Sequence, residues 1–110
     1  MDSETAWIAG VLEGEGYFGI KHGRKTLVIM CQMTDLDVLQ RIQVRFGGGI
    51  SLTKKRKEHH KESWSWFVHG EAAYLAILSI YDLMSVRRKA KIDESLAVYL
   101  ASEFYLRNNA

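Results

Sequence analysis

The chain has 110 residues, 47% of them hydrophobic and 25% charged, a balance that permits a packed core and excludes a disordered, highly charged segment. Its single cysteine, Cys31, excludes an internal disulfide, and no apolar run reaches the roughly 20 residues needed to cross a bilayer. The formal net charge of +2 says little as a total; its distribution says more. Basic residues gather at Lys21-His22-Gly23-Arg24-Lys25, at Lys54-Lys55-Arg56-Lys57 and at Arg87-Arg88-Lys89-Ala90-Lys91, and segregated charge of this kind can make a positive face on a nearly neutral molecule. Met1-Asp2-Ser3-Glu4 is acidic and polar, unlike a secretory leader. Cys31, set among apolar neighbours, reads as a small core residue in a reducing compartment. An intracellular protein with no membrane partner is expected.

With no proline and no low-complexity tract, one domain over residues 1–110 is expected. Asp2 or Ser3 can cap a first helix over about residues 4–14. Tyr17 to His22 alternates as a strand, and a Gly23-Arg24-Lys25 turn leads into a second strand from Thr26 to Thr34. Thr34-Asp35-Leu36-Asp37 resembles a capped helix start. Leu36, Leu39, Ile42 and Phe46 then give that helix a core-facing stripe, closed by Gly47-Gly48-Gly49. A second hairpin runs from Ile50 to Lys54 and from Ser63 to Val68 around a charged tip. After Gly70, a third helix is expected to bury Ala73, Tyr74, Ile77, Leu78 and Tyr81. A fourth, from about Arg88 to Leu106, is built on Ile92, Leu96, Tyr99 and Leu100. The order is helix, two strands, helix, two strands, helices. It predicts an α+β fold with a four-stranded antiparallel sheet, helices on one face and the other face open.

The most informative stretch is Trp7-Ile8-Ala9-Gly10-Val11-Leu12-Glu13-Gly14-Glu15-Gly16. Gly10 and Gly14 lie four apart on one helical face, with Ala9 beside them, and so clear a stripe where another backbone can approach closely. Each glycine costs about 1 kcal/mol relative to alanine in a helix, which a tight helix–helix contact would offset. Glu15 stands at the helix C-terminus, the negative end of the dipole, where an acid gains stability only if a cation is bound.

Ile8 to Gly16 resembles the LAGLIDADG motif of the homing endonucleases. The resemblance is direct over about a dozen residues, and the element order fits the αββαββα half of that family. It implies that the motif helix forms an interface between two halves, with Trp7, Ala9, Gly10, Glu13 and Gly14 in the contact. It also implies that Glu15, flanked by Gly14, holds a catalytic divalent metal, Mg²⁺ or Mn²⁺. Glu15 departs from the commoner Asp and has a longer reach. A single motif implies a homodimer with the two copies of Glu15 close to the two-fold axis, where a hard cation would relieve their repulsion. The family cuts both strands of duplex DNA across the minor groove. An active-site polar residue in the family follows the second strand, and Asp35 falls there, after Gln32 and Thr34; Asp35 fits a helix N-cap equally well. A basic residue near the start of the last helix is matched best by Arg87, with Arg88 and Lys89 close behind.

Strand alternation divides the sheet. One face takes Phe18, Ile20, Leu27, Ile29, Cys31, Met33, Ile50, Leu52, Trp64, Trp66 and Val68. The other takes Tyr17, Gly19, Lys21, Thr26, Val28, Met30, Gln32, Ser51, Thr53, Lys55, Ser63, Ser65 and Phe67. The second set mixes polar and apolar side chains, as direct readout in a major groove requires. Lys25, Arg24, Lys54, Lys55, Arg56, Arg88 and Lys89 would contact phosphates. His59 and His60 lie in the charged tip without a cysteine partner and make no metal pattern. The function expected is a homodimeric, metal-dependent DNA endonuclease. The alternatives are a non-cleaving DNA- or RNA-binding protein on the same scaffold, and a homodimeric interaction protein whose glycine helix serves assembly alone.

Overall fold

The computed structural model describes residues 2–21, 23, 25–53 and 61–102. Helix α1 spans Ser3–Glu15. Asp2, in extended backbone, accepts the Thr5 N–H through its carboxylate at 2.7 Å and so fills the N-cap role. The face carrying Thr5, Ile8, Ala9 and Leu12 is buried. The helix passes without a loop into strand β1, Gly16–Lys21. Only glycine fits that junction, because a Cβ on Gly16 would lie 2.6 Å from the Leu12 carbonyl oxygen.

Strand β2 is Thr26–Met33, helix α2 Leu36–Phe46, strand β3 Gly49–Thr53 and strand β4 Ser63–His69. The strands form one sheet in the order β1-β2-β4-β3, with every neighbouring pair antiparallel. Helix α3 covers Gly70–Ile80, a 3-10 turn follows at Tyr81–Leu83, and helix α4 runs Val86–Leu100. The α+β architecture expected from the sequence is present.

Register fixes which side chains share a face. Cys31 stands opposite Gly16 and Trp66, and Ile29 opposite Phe18 and Val68. With Leu27, these side chains meet Ile8, Leu12, Leu39, Ile42, Ala73, Ile77, Ile80 and Ile92 in one core. The buried Trp66 donates its indole N–H to the Gly47 carbonyl at 2.8 Å. That bond ties β4 to the end of α2 and satisfies a polar atom that would be costly to bury alone. The C-terminal half of α2 is also bound to the start of α1. Arg41 forms a two-pronged bond to Glu4, both contacts at 2.6 Å, while Arg45 reaches Asp2 and the Thr5 hydroxyl.

Two expectations for the helices need correction. Leu78 is 58% exposed, because α3 buries Ala73, Ala76, Ile77 and Ile80, a face centred well round the helix from it. The last helix starts at Val86 rather than near residue 88, because Ser85 caps it and accepts the Arg88 N–H at 3.2 Å. No described helix is long and apolar enough to cross a membrane.

Candidate metal centre and nucleic-acid interface

At one margin of the sheet, Glu15, Gln32, Met33, Thr34, Asp35 and Ser63 line an open depression of about 400 Å³. Three elements deliver them: the end of α1, the end of β2 with its turn into α2, and the start of β4. Gln32 donates its amide to the Ser63 hydroxyl at 3.3 Å, across the β2–β4 pair. Asp35 occupies the N-cap position of α2, but its side chain makes no capping bond. Its carboxylate therefore stays available on the depression wall alongside Glu15.

Glu15 and Asp35 are exposed carboxylates joined by neutral oxygen donors, a set that suits a hard divalent cation retaining waters and taking further oxygens from a phosphate. Among the described residues no group of three His, Cys, Asp or Glu side chains converges. Two carboxylates alone do not close a coordination shell, so a cation placed here would need further oxygens from water or a phosphate.

The helix-free face of the sheet extends away from this depression in rows. Gln32, Ser65 and Ser51 stand level with one another, followed by Tyr17, Met30 and Phe67, then by Gly19, Val28 and His69, and last by Lys21 and Thr26. Thr53 and Ser65 share a hydrogen bond at 3.2 Å. Lys21, Lys25, Met30, Gln32 and Ser51 are exposed, whereas Thr26, Ser63, Ser65 and Phe67 are half-buried. Two residues expected on the accessible surface are not there. Gly19 is covered by the Tyr17 ring, whose hydroxyl would lie 2.3 Å from a Cβ on Gly19. Val28, opposite Gly19 and His69, is only 6% exposed. Arg24, Lys54, Lys55 and Arg56 lie outside the described residues. His69, to which no role was expected, faces the open side with its ring 5.6 Å from that of Phe67. Continuing the alternation of Ser63, Ser65 and Phe67 by two residues would have found it.

No protein-family model matches the sequence, and no curated protein matches it either. Solved structures do. The homing endonuclease I-CvuI, in complex with its target in the presence of calcium, matches 86% of this chain at a TM-score of 0.64 and 15% identity. The archaeal intron-encoded homing endonuclease I-Vdi141I, complexed with DNA, also matches 86%, at 0.58 and 17% identity. The LAGLIDADG homing endonuclease I-SmaMI, bound to cleaved DNA, matches 91% at 0.51 and 21% identity.

The fold is that of the LAGLIDADG homing endonucleases. The chain spans less than two thirds of the length of these relatives, 64% of I-CvuI and of I-Vdi141I and 34% of I-SmaMI.

On this homing-endonuclease fold the motif helix has a buried side and an open side, and three residues expected in an interface already contact other parts of the same chain. Ala9 is 2% exposed and packs in the chain's own core. Trp7 is half-buried, with the Arg41 guanidinium 3.7 Å above its ring, so α2 covers it. Glu13 accepts the Ser85 N–H at 2.8 Å and so faces the start of α4. That bond, first, and then the nearby Arg88 and Arg87 hold its carboxyl below the ordinary range. Gly10 and Gly14 are open, and a Cβ on either would meet nothing within 4 Å. Ala6, four residues before Gly10 and exposed, continues their stripe in place of Ala9.

The basic residues of α4 also separate. Arg87 is exposed. Lys89 is half-buried with its ammonium 5.3 Å from the Tyr81 ring centre. Arg88 does not project into solvent as a phosphate contact would; it donates to the Glu13 carbonyl at 3.0 Å and to the Gly16 carbonyl at 2.6 Å. Helix C-termini leave carbonyls unpaired, and these two attract a guanidinium strongly.

Proposed function

We propose that this chain is a divalent-metal-dependent, double-strand DNA endonuclease of the LAGLIDADG homing type, acting inside the cell as a homodimer on a pseudo-palindromic site. The observation that carries the reading is the meeting of Glu15, Asp35 and Gln32 in one open depression at the margin of a mixed polar and apolar sheet face. The fold adds support, since its solved examples include endonucleases bound to DNA.

On this reading Glu15, with the adjoining Gly14 backbone and Asp35, holds Mg²⁺ or Mn²⁺. A cation bound there supplies acidified water and offsets charge on the scissile phosphate and its leaving oxygen. Gln32 and Ser63 orient water or the phosphate through their amide and hydroxyl. Arg87 brings a fixed positive charge to the phosphodiester. Tyr17, Met30, Gln32, Ser51, Ser65, Phe67 and His69 face the bases, and Lys21 and Lys25 the backbone. The open stripe of Ala6, Gly10 and Gly14 supports close packing against the same stripe of a second copy.

A randomised duplex library incubated with Mg²⁺, with Ca²⁺ and with the Glu15→Gln variant tests this. Recovery of a pseudo-palindromic cut site only with Mg²⁺ and intact Glu15 is expected. Specific binding without cutting in every condition would instead assign the face to a regulator or RNA maturase. Binding that responds weakly to salt would favour an interaction protein.

A further inference from the structure

We infer that Arg88 is a positioning residue for Glu15: its guanidinium fixes the two peptide carbonyls that bracket Glu15 and so sets where that carboxylate points. The inference rests on the reading of Glu15 as the metal-facing acid. Glu15 is the last residue of α1 and is exposed, so the part of its placement that the fold controls is the backbone from which its Cα–Cβ bond projects. The final carbonyls of a helix have no partners within it and would let the terminal turn fray. Here the Leu12 carbonyl accepts from the Gly16 N–H. Arg88 takes those on either side of Glu15, through Nε to Glu13 at 3.0 Å and through Nη1 to Gly16 at 2.6 Å. A guanidinium is planar and rigid, so both carbonyls are held relative to one plane. Its charge also offsets the negative end of the α1 dipole.

The hold is reciprocal. Glu13 sends its carboxylate to the Ser85 N–H at the start of α4, and Ser85 in turn accepts the Arg88 N–H through its hydroxyl. Each helix thereby satisfies unpaired groups at the end of the other. The clasp also fixes the start of α4 against the end of α1, which sets the exposed Arg87 relative to Glu15.

The test uses the full chain with Arg88→Ala, Arg88→Lys and Arg87→Ala. In DNA-free protein, amide hydrogen exchange is measured at residues 14–16 and in β2. A non-sequence-specific duplex gives the salt dependence of binding, and a selected target gives the Mg²⁺ midpoint of cleavage. Arg88→Ala is expected to speed exchange at residues 14–16 about tenfold, as loss of charged hydrogen bonds implies, and to raise the Mg²⁺ midpoint. It should leave β2 and the salt slope unchanged. Arg88→Lys, able to hold one carbonyl, should fall between. Arg87→Ala is expected to lower the salt slope by about one phosphate contact without changing exchange. Unchanged exchange with a lower salt slope in Arg88→Ala would make it a phosphate contact and overturn the inference. So would faster exchange spread equally through β2. A wild-type chain that binds but never cuts defeats the endonuclease reading, while the exchange and salt data still decide whether the clasp exists.

Discussion

Glu13 and Arg88 exchange the roles their charges suggest. Both belong to clusters that look solvent-facing, yet each ends on backbone groups of the other's helix. The Glu13 carboxyl is held below its ordinary range chiefly by the Ser85 N–H. A carboxyl so lowered contributes stability in full above its unfolded pKa and loses it as pH falls through the folded value. Asp2, bonded to the Thr5 N–H, and Glu4, bonded to Arg41, are lowered too. All three should weaken the fold on acidification below the carboxylate range. Glu13→Gln should flatten only its own share, seen as a smaller acid-induced fall in melting temperature than in wild type. An identical pH dependence in the two proteins would mean that the carboxylate charge is unimportant there. Cys31 behaves oppositely: burial pushes its thiol up to about 11, so little thiolate exists at neutral pH. A maleimide reagent should label it only in denaturant. Rapid native labelling, read by mass spectrometry, would show that β2 opens readily.

At the scale of elements, α1 is two-sided. Ile8, Ala9 and Leu12 settle its inner side, while Trp7 and Glu13 are occupied by α2 and α4. Gly10 and Gly14 have no work to do within one chain, since a Cβ at either meets nothing within 4 Å. An alanine at position 10 should therefore stabilise the isolated chain by about 1 kcal/mol, through helix propensity alone. In the proposed homodimer, Gly10→Leu should leave the helical circular dichroism intact and shift sedimentation from dimer to monomer. If Gly10→Leu sediments as wild type does, the assembly face lies elsewhere. Gly48 is the contrasting glycine. Its φ is +88°, and a Cβ would sit 2.2 Å from the Phe67 carbonyl oxygen. Gly48→Ala should lower the melting temperature sharply, because neither the backbone conformation nor the strand partner can give way cheaply.

For the molecule as a whole, the open face is graded. The Gln32–Ser65–Ser51 row adjoins the depression, and the next row, Tyr17–Met30–Phe67, is largely apolar. Rows two residues apart are separated by about 6.6 Å, or about two base pairs of B-form duplex. The apolar row suits thymine methyl groups. On a selected target, replacing thymidine by deoxyuridine at the positions it meets should weaken binding. Met30→Ala and Phe67→Ala should abolish that discrimination while keeping the salt slope. Equal affinity for both bases at every position, measured by fluorescence anisotropy, would exclude methyl readout by this row.

The amino-acid order alone was enough to set out the element order, the two hairpins and the face assignment of the strands. These follow from local rules: a period of two in strands, apolar spacing in α2, and glycine at helix ends. It could not decide whether the Asp35 side chain caps α2; only its orientation in the fold shows that it makes no capping bond and lines the depression instead. Nor could it tell Arg87 from Arg88, or Ala6 from Ala9. Successive residues on a helix point about 100° apart and residues three apart about 60°, and which direction meets another element depends on how the helices pack. The burial of Gly19 likewise came from outside its own alternation, from the Tyr17 ring folded back along its strand, and the burial of Val28 was no more legible in its alternation. Periodicity assigns a residue to a face. Tertiary packing decides whether that face is free.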